Sequence, residues 1–124
     1  MNNLKLPLKK KWFDLTKSGI KPEDYREITP YWCKRLLKYN DKKMSTSFWA
    51  SLLIGKEFFE MFLDDISFVN FDSNIMTLGY PKSTDSERIL KLEHKGIEIR
   101  EGRPEWGAEP NKLYFVILHG SFLA

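Results

Sequence analysis

The feature that most constrains the fold is an almost unbroken apolar run at residues 113–118, Leu-Tyr-Phe-Val-Ile-Leu. A strand with one face in water alternates apolar and polar residues, whereas an apolar run of this length is typical of a strand buried on both faces. We therefore predict a central strand there. The chain has 124 residues, 42% of them hydrophobic, so it is long enough to bury a core around this strand. The lone cysteine, Cys33, excludes an internal disulfide.

Weaker alternation of apolar and polar residues predicts the other strands. They are expected at residues 3–9, 23–28, 66–71 or 74–79, 87–93 and 96–100. Pro7 favours an edge position for the first of them, because proline has no N–H to donate. Glycine and proline density predicts a loop at residues 101–112, with Trp106 as its anchor.

Three segments are predicted to be helical. Residues 10–18 form a short helix that ends at Gly19, and Thr29-Pro30 starts a second one that runs to about Tyr39 and buries Trp32 and Leu36. Residues 48–63 are strongly apolar, and Gly55 leaves open whether they form one helix or two. We thus predict one α+β domain over residues 1–124, a small β-barrel of mixed, mostly antiparallel sheet with two or three short helices.

Charge is distributed unevenly along the chain. Residues 1–43 hold 12 Lys/Arg against 5 Asp/Glu, and the rest holds 8 against 12, within a net charge of +3. This asymmetry indicates an anionic partner, nucleic acid above all, although solvated lysines give the same pattern.

Other classes of protein lack support in the sequence. No segment approaches the roughly 18 apolar residues of a membrane span, and no apolar signal region follows the first lysines. His94, His119 and Cys33 do not stand at metal-ligand spacing, so we expect neither a metal nor a cofactor. We expect a cytoplasmic protein with no membrane partner, and the oligomeric state stays open.

Residues 19–32 interleave charged and aromatic side chains. They contain the pattern Gly-x-Lys-x-x-acid-x-Arg, formed by Gly19, Lys21, Asp24 and Arg26. On a strand, Asp24 and Arg26 face away from Glu23, Tyr25 and Glu27. The pattern fits the lining of a cleft and equally an ion-paired surface.

The pattern resembles the motif of the ASCH domain family, Gly-x-Lys-x-x-Glu-x-Arg, with Asp24 in place of Glu. Further blocks look like a bacterial and phage branch of that family. They are Lys10-Lys11-Trp12-Phe13-Asp14, Tyr25-Arg26-Glu27-Ile28, Pro30-Tyr31-Trp32, Leu78-Gly79-Tyr80 and residues 102–117. The resemblance implies a PUA-like β-barrel with a cleft beside the motif that binds RNA, another nucleic acid or a nucleotide-like ligand.

The resemblance also implies an enzymatic alternative, a hydrolase acting on a modified nucleoside or on RNA with Lys21 as its acid/base group. One branch of the family removes the acetyl group of N4-acetylcytidine with a threonine three positions after the motif lysine. That position is Asp24 here, and a carboxylate cannot replace a hydroxyl nucleophile in forming an acyl-enzyme. Other members are ribonucleases.

Our leading hypothesis is a nucleic-acid-binding domain. The ligand-binding candidates are Lys21, Asp24, Arg26, Glu27, Tyr31, Lys34, Arg35 and Lys38, with Gly19 as the motif glycine. Lys21 and Arg26 suit phosphate contact, and their alternative is an ion pair with a nearby carboxylate. Lys34, Arg35 and Lys38 suit a phosphate backbone but also fit a solvated helix face. Tyr31 is one of several aromatic residues suited to base stacking, and most of the others are expected in the core: Tyr25, Trp32, Trp106 and Tyr114. A third hypothesis is that the apolar residues 48–63 bind another protein.

Overall fold

The computed structural model describes residues 2–55 and 57–123. Within these ranges the chain forms seven strands and three α-helices. In chain order they are β1 (Asn3–Leu8), α1 (Lys10–Lys17), β2 (Glu23–Glu27), α2 (Pro30–Leu36), β3 (Leu37–Tyr39), α3 (Thr46–Ile54), β4 (Ile66–Phe68), β5 (Ser73–Leu78), β6 (Ile89–Glu101) and β7 (Leu113–Phe122). Short 3₁₀ turns lie at Glu60–Leu63, Ser86–Arg88 and Pro104–Trp106.

The main sheet has five strands in the order β1-β5-β6-β7-β2. β1 runs parallel to β5, while β6 is antiparallel to both β5 and β7. The sheet is curled into a half-barrel. These features confirm the predicted α+β class with a mixed sheet and few helices. Pro7 lies on edge strand β1, as predicted.

Strand β7 is the buried strand that the apolar run predicts. It lies between β6 and β2, and residues 114–117 are buried. The strand continues to Phe122, four residues beyond the predicted end. Its partner β6 is a single strand of 13 residues, so the predicted division into 87–93 and 96–100 is wrong. The pairing shifts register at His94, and this irregularity takes up the polar interruption without ending the strand.

The described chain divides into two compact units. The first unit comprises the chain up to Tyr25 and from Asn70 onward, and the second unit is Arg26–Val69. The single domain over residues 1–124 stays a prediction. No helix of the described residues is long and apolar enough to cross a membrane.

In the second unit, α2 begins as predicted and ends early. The Thr29 side chain caps the helix by accepting a hydrogen bond from the Trp32 N–H, and Pro30 is the first helical residue. The prediction that the helix reaches Tyr39 is wrong, because Leu37–Tyr39 is extended and pairs antiparallel with Ile66–Phe68. Inter-strand pairing has overridden the local helical pattern.

The apolar segment at residues 48–63 is divided at Gly55. Helix α3 ends there, and a 3₁₀ turn follows at Glu60–Leu63; position 56 lies outside the described residues. Trp49 and Phe58 are buried, whereas Ile54 and Phe59 are exposed. The next strand was predicted at residues 66–71 or at residues 74–79, and the structure has a strand in each place, β4 and β5. The protein-binding role of the segment stays a prediction.

Candidate functional site

The turn after α1 positions Lys21 in the first unit. The Gly19 N–H bonds to the Thr16 carbonyl (3.1 Å), and the Lys21 N–H bonds to the Leu15 carbonyl (3.1 Å). Gly19 has a φ of +82°, which disfavours any residue with a Cβ, although a Cβ built there would meet nothing within 4 Å. The glycine is therefore needed for its backbone conformation, which directs the chain from the helix into β2.

Lys21 and Asp24 are buried, with 3% and 2% of their surfaces exposed. Lys21 Nζ donates to the Glu23 carbonyl oxygen (2.8 Å) and lies 3.7 Å from Asp24 Oδ1. The same ammonium lies 5.3 Å from the ring centroid of Tyr25 and 5.8 Å from that of Trp12. A buried ammonium is expensive unless such groups replace its water. Lys21 is thus a buried cation, stabilised by contacts within the protein, and not a surface lysine.

Glu23 forms a second, separate ion pair beside Lys21. Its carboxylate accepts two hydrogen bonds from the Arg100 guanidinium (2.7 and 3.1 Å) and one from the Tyr25 hydroxyl (2.6 Å). Burial by itself raises the pKa of Glu23, but the bonds from Arg100 and Tyr25 outweigh burial and lower it. Burial and the bond to Glu23 raise the pKa of Tyr25 to about 12. This pair is fully engaged within the protein, which indicates a structural role.

A pocket of about 80 Å³ opens beside the motif. It is lined by Thr16, Gly19, Lys21, Pro22, Leu92, His119, Gly120 and Phe122. A water molecule takes about 30 Å³ in the liquid, so the pocket has room for two or three. Pockets for drug-sized ligands hold roughly 300–1,000 Å³. The pocket is therefore too small to enclose a whole nucleoside.

Behind the pocket, three polar side chains join neighbouring strands. Asn74 on β5 is fully buried; its Oδ1 lies 2.7 Å from His94 Nδ1 on β6, and its Nδ2 lies 2.7 Å from His119 Nδ1 on β7. Asn74 Nδ2 also donates to the Leu118 carbonyl (3.2 Å). The result is a hydrogen-bonded row, His94–Asn74–His119, and His119 is among the residues that line the pocket.

The second ring nitrogen of His119 is exceptional. His119 Nε2 is buried, and no described residue makes a hydrogen bond to it. Burial lowers the pKa of His119 to about 4, with smaller opposing effects of Asp24 and Lys21, and burial also lowers the pKa of His94. No motif in the sequence selects these two histidines, which are 25 positions apart. They come together because they are register partners across β6 and β7.

In the second unit, Trp32 has a guanidinium near it from each of two arginines. Arg26 Cζ lies 4.9 Å and Arg35 Cζ 4.7 Å from the Trp32 ring centroid. Tyr31, which is 56% exposed, packs edge-on against Trp32 with ring centroids 5.2 Å apart. Tyr31 is thus an accessible aromatic face next to positive charge, which suits contact with bases and phosphates.

Four cations gather around the end of α2, and we call them the basic cluster: Lys34, Arg35, Lys38 and Lys43. Lys43 Nζ donates to the carbonyl oxygens of Lys34 (2.5 Å) and Arg35 (3.2 Å), which lie at the end of the helix. Partial burial of its ammonium lowers the pKa of Lys43, and repulsion by the other three cations lowers it further. Lys43 was not among the predicted candidates, because it lies four residues beyond the predicted end of the helix.

The candidate residues from the sequence divide between the two units. Gly19 and Lys21 line the pocket, and Asp24 lies against Lys21 in the first unit. Arg26, Glu27, Tyr31, Lys34, Arg35 and Lys38 belong to the second unit. Of the other aromatic candidates, Tyr114 is buried, with its hydroxyl accepting from the Glu109 N–H (2.9 Å), as expected for a core residue.

Within the described ranges, no group of three His, Cys, Asp or Glu side chains is arranged to hold a metal ion. Comparison of the chain with protein-family models, with curated proteins and with solved structures gives no match.

Proposed function

We propose that this protein binds nucleic acid, and RNA above all, through the basic cluster and the neighbouring Tyr31. The observation that carries the proposal is the gathering of four cations around the end of α2, whose mutual repulsion adds to the effect of burial in lowering the pKa of Lys43. Repulsion between like charges opposes folding, and the hydrogen bonds of Lys43 to the helix end offset only part of it. A phosphate backbone brought to this surface would relieve the repulsion and release its own counterions.

Tyr31 adds a second type of contact. Its exposed ring lies beside Arg35, whose Cζ is 5.8 Å from the ring centroid. Stacking of a base on such a ring contributes roughly 1–3 kcal/mol and tolerates any base. Single-stranded RNA presents unstacked bases more readily than a duplex, so charge and stacking together favour a single strand.

The resemblance to the ASCH family supports the same function and remains a proposal, as does the PUA-like relationship that it implies. The hydrolase alternative, acting on a modified nucleoside or on RNA, would rest on Lys21. The volume of about 80 Å³ beside Lys21 gives no support to a whole nucleoside as its ligand.

The experiment compares two double variants of equal charge. Lys34→Ala/Lys38→Ala removes two cations of the basic cluster, and Lys9→Ala/Lys17→Ala removes two exposed lysines of the first unit. Fluorescence anisotropy measures binding to a labelled single-stranded RNA, and to DNA of the same sequence, over a range of salt concentrations. We expect the first variant to bind about tenfold or more weakly, with its salt slope reduced by about one per lost phosphate contact. Equal losses in both variants, or binding by neither variant nor wild type, would overturn the proposal.

Tyr31→Ala separates stacking from charge. We expect roughly tenfold weaker binding with an unchanged salt slope, since a tyrosine releases no counterions. An unchanged affinity would remove Tyr31 from the interface and leave a purely electrostatic surface.

A further inference from the structure

We propose that helix α3 and the turn after it bind a basic amphipathic helix of a partner protein. The binding surface, which we call the docking face, consists of Ser47, Ser51 and Ile54 on α3 and Phe59 in the turn. This inference gives a chemistry to the protein-binding role predicted for residues 48–63. It is independent of the nucleic-acid proposal, which rests on the basic cluster and Tyr31.

Helix α3 is more apolar than its burial explains. Six of the nine residues in Thr46–Ile54 are apolar: Phe48, Trp49, Ala50, Leu52, Leu53 and Ile54. A helix that is apolar on all sides is normally buried on all sides. Here Trp49 is the one buried residue of the helix, and Ile54 is 87% exposed. Packing within the described residues therefore leaves one side of α3 without a partner.

Ile54 shares the open side of α3 with two serines. Ser47, Ser51 and Ile54 are spaced by four and three residues, which places them on one face of the helix, and all three are exposed. Because the serine side chains are small, a second helix can approach this face closely. Ile54 then serves as an apolar anchor at the end of the contact.

Phe59 is a second exposed apolar anchor. It is 47% exposed, and its ring packs edge-on against buried Phe58, with ring centroids 5.2 Å apart. Phe58 packs in turn against Trp49 of α3, with centroids 6.5 Å apart. These contacts hold the Phe59 ring in place, so a partner buries it with little loss of side-chain entropy. The Cα atoms of Ile54 and Phe59 are at most about 18 Å apart, a distance that a helix of about 12 residues spans.

The charges beside these anchors define the partner. Glu57, Glu60 and Asp64 are exposed, and none of them forms an ion pair with another described residue. Over residues 44–65 the sequence has four carboxylates and one lysine, Lys56, which lies outside the described residues. We call the three exposed carboxylates the acidic rim. It attracts a partner that has lysines or arginines around an apolar face, and it repels nucleic acid and anionic membranes.

The other candidate occupant is a second copy of this chain. In a symmetric dimer the docking face would meet itself, which would bring the carboxylates of both copies together. Repulsion between the two acidic rims opposes this arrangement. The charges therefore favour a different, basic protein.

The first test uses a helical peptide of about 14 residues, which spans about 21 Å, with leucines on one face and lysines on the other. A second peptide has glutamate in place of every lysine. Fluorescence anisotropy measures the binding of each labelled peptide to the wild-type chain. We expect the lysine peptide to bind at least about tenfold more tightly at low salt, with a smaller difference at high salt. Equal binding of the two peptides, or binding of neither, would overturn the proposal.

A pair of double variants tests the anchors. Ile54→Ser/Phe59→Ser removes both of them, and Tyr80→Ser/Leu113→Ser removes two exposed apolar side chains of the first unit. We expect the lysine peptide to bind about tenfold or more weakly to the first variant and within about twofold of wild type to the second. Circular dichroism verifies that both are folded. Equal losses in the two folded variants would overturn the proposal.

A second pair tests the acidic rim. Glu57→Gln/Glu60→Gln removes two of its charges, and Glu87→Gln/Glu101→Gln removes two exposed carboxylates of the first unit. We expect the first variant to bind the lysine peptide about threefold or more weakly than the second, with a smaller salt dependence. The same affinity in both variants would overturn the basic character of the partner.

Sedimentation equilibrium of the wild-type chain without peptide tests the second copy. We expect a monomer. A dimer that dissociates in Ile54→Ser/Phe59→Ser would overturn the proposal, because the docking face would then be occupied by this chain itself.

Discussion

The two units place charge in opposite ways. In the first unit, Lys21, Glu23 and Asp24 are buried, and each is within reach of an opposite charge or a backbone oxygen. In the second unit, the cations of the basic cluster gather at one helix end, where Lys34 and Lys43 are exposed. The sequence signal was the same in both places, lysines and arginines interleaved with aromatic residues.

The difference shows that charge near an aromatic residue has no fixed meaning. Beside Tyr25 and Trp12, the rings help to replace the water that Lys21 has lost. Beside Trp32, two guanidinium groups share one ring at a partly exposed site. The first arrangement stabilises the fold, and the second contributes to the positive surface that we propose binds nucleic acid. Removing charge should therefore have opposite effects in the two units.

The largest effect is expected from Lys21→Met. The substitution leaves Asp24 as a buried carboxylate without its nearby ammonium, so the free energy of unfolding should fall by about 3 kcal/mol. Urea unfolding followed by tryptophan fluorescence measures the change.

Lys17→Met, on the exposed side of α1, is the matched control and should change stability by less than about 0.5 kcal/mol. Lys21→Met/Asp24→Leu should recover part of the loss, because it removes both charges. If Lys21→Met and Lys17→Met behave alike, the contrast between interior and surface charge fails.

Acid should destabilise the first unit through its histidines. The pKa of His119 falls from 6.5 to about 4 on folding, so the unfolded chain binds more protons than the folded one between these values. The contribution of His119 to the free energy of unfolding is fully present above pH 6.5 and is lost as the pH falls toward 4. Between pH 7 and pH 5 the free energy of unfolding should fall by roughly 2 kcal/mol. His94 has a lowered pKa and contributes in the same direction.

Unfolding midpoints measured from pH 7 to pH 5 check this prediction. Glu23 does not interfere, because its lowered pKa makes it lose stability only below about pH 4.5. In His119→Phe, the pH dependence over this interval should be reduced. A wild-type stability that stays flat from pH 7 to pH 5 would show that His119 is not held neutral in the folded protein.

The local patterns in the sequence predict much of this fold. The cap at Thr29, the stop at Gly19 and the buried run in β7 each depend on residues close together in the chain, and each is confirmed. The early end of α2 was missed because it depends on pairing between Leu37–Tyr39 and Ile66–Phe68, some 30 positions away. Local propensity cannot register such a partner.

The candidate site shows the same limit. Lys21 and Gly19 stand in a short motif and were selected from it, whereas Arg100, Asn74 and His119 were not. Arg100 reaches Glu23 across 77 positions and Asn74 reaches His119 across 45, so only the sheet topology brings them together. A motif can identify the site residues that are close together in the chain. The residues on other strands can be identified only when the sheet topology is known.

The smallest expected effect is a gain in stability when one cation of the basic cluster is removed, opposite in sign to the loss expected for Lys21→Met. Lys38→Gln removes a cation that repels Lys43, so the free energy of unfolding should rise by about 0.3 kcal/mol at low salt and show no gain at 1 M salt, where the Debye length is about 3 Å. The pKa of Lys43, followed by its Cε chemical shift, should rise toward its ordinary value, whereas Lys9→Gln should leave it unchanged. A loss of stability in Lys38→Gln would mean that the basic cluster supports the fold as Lys21 does.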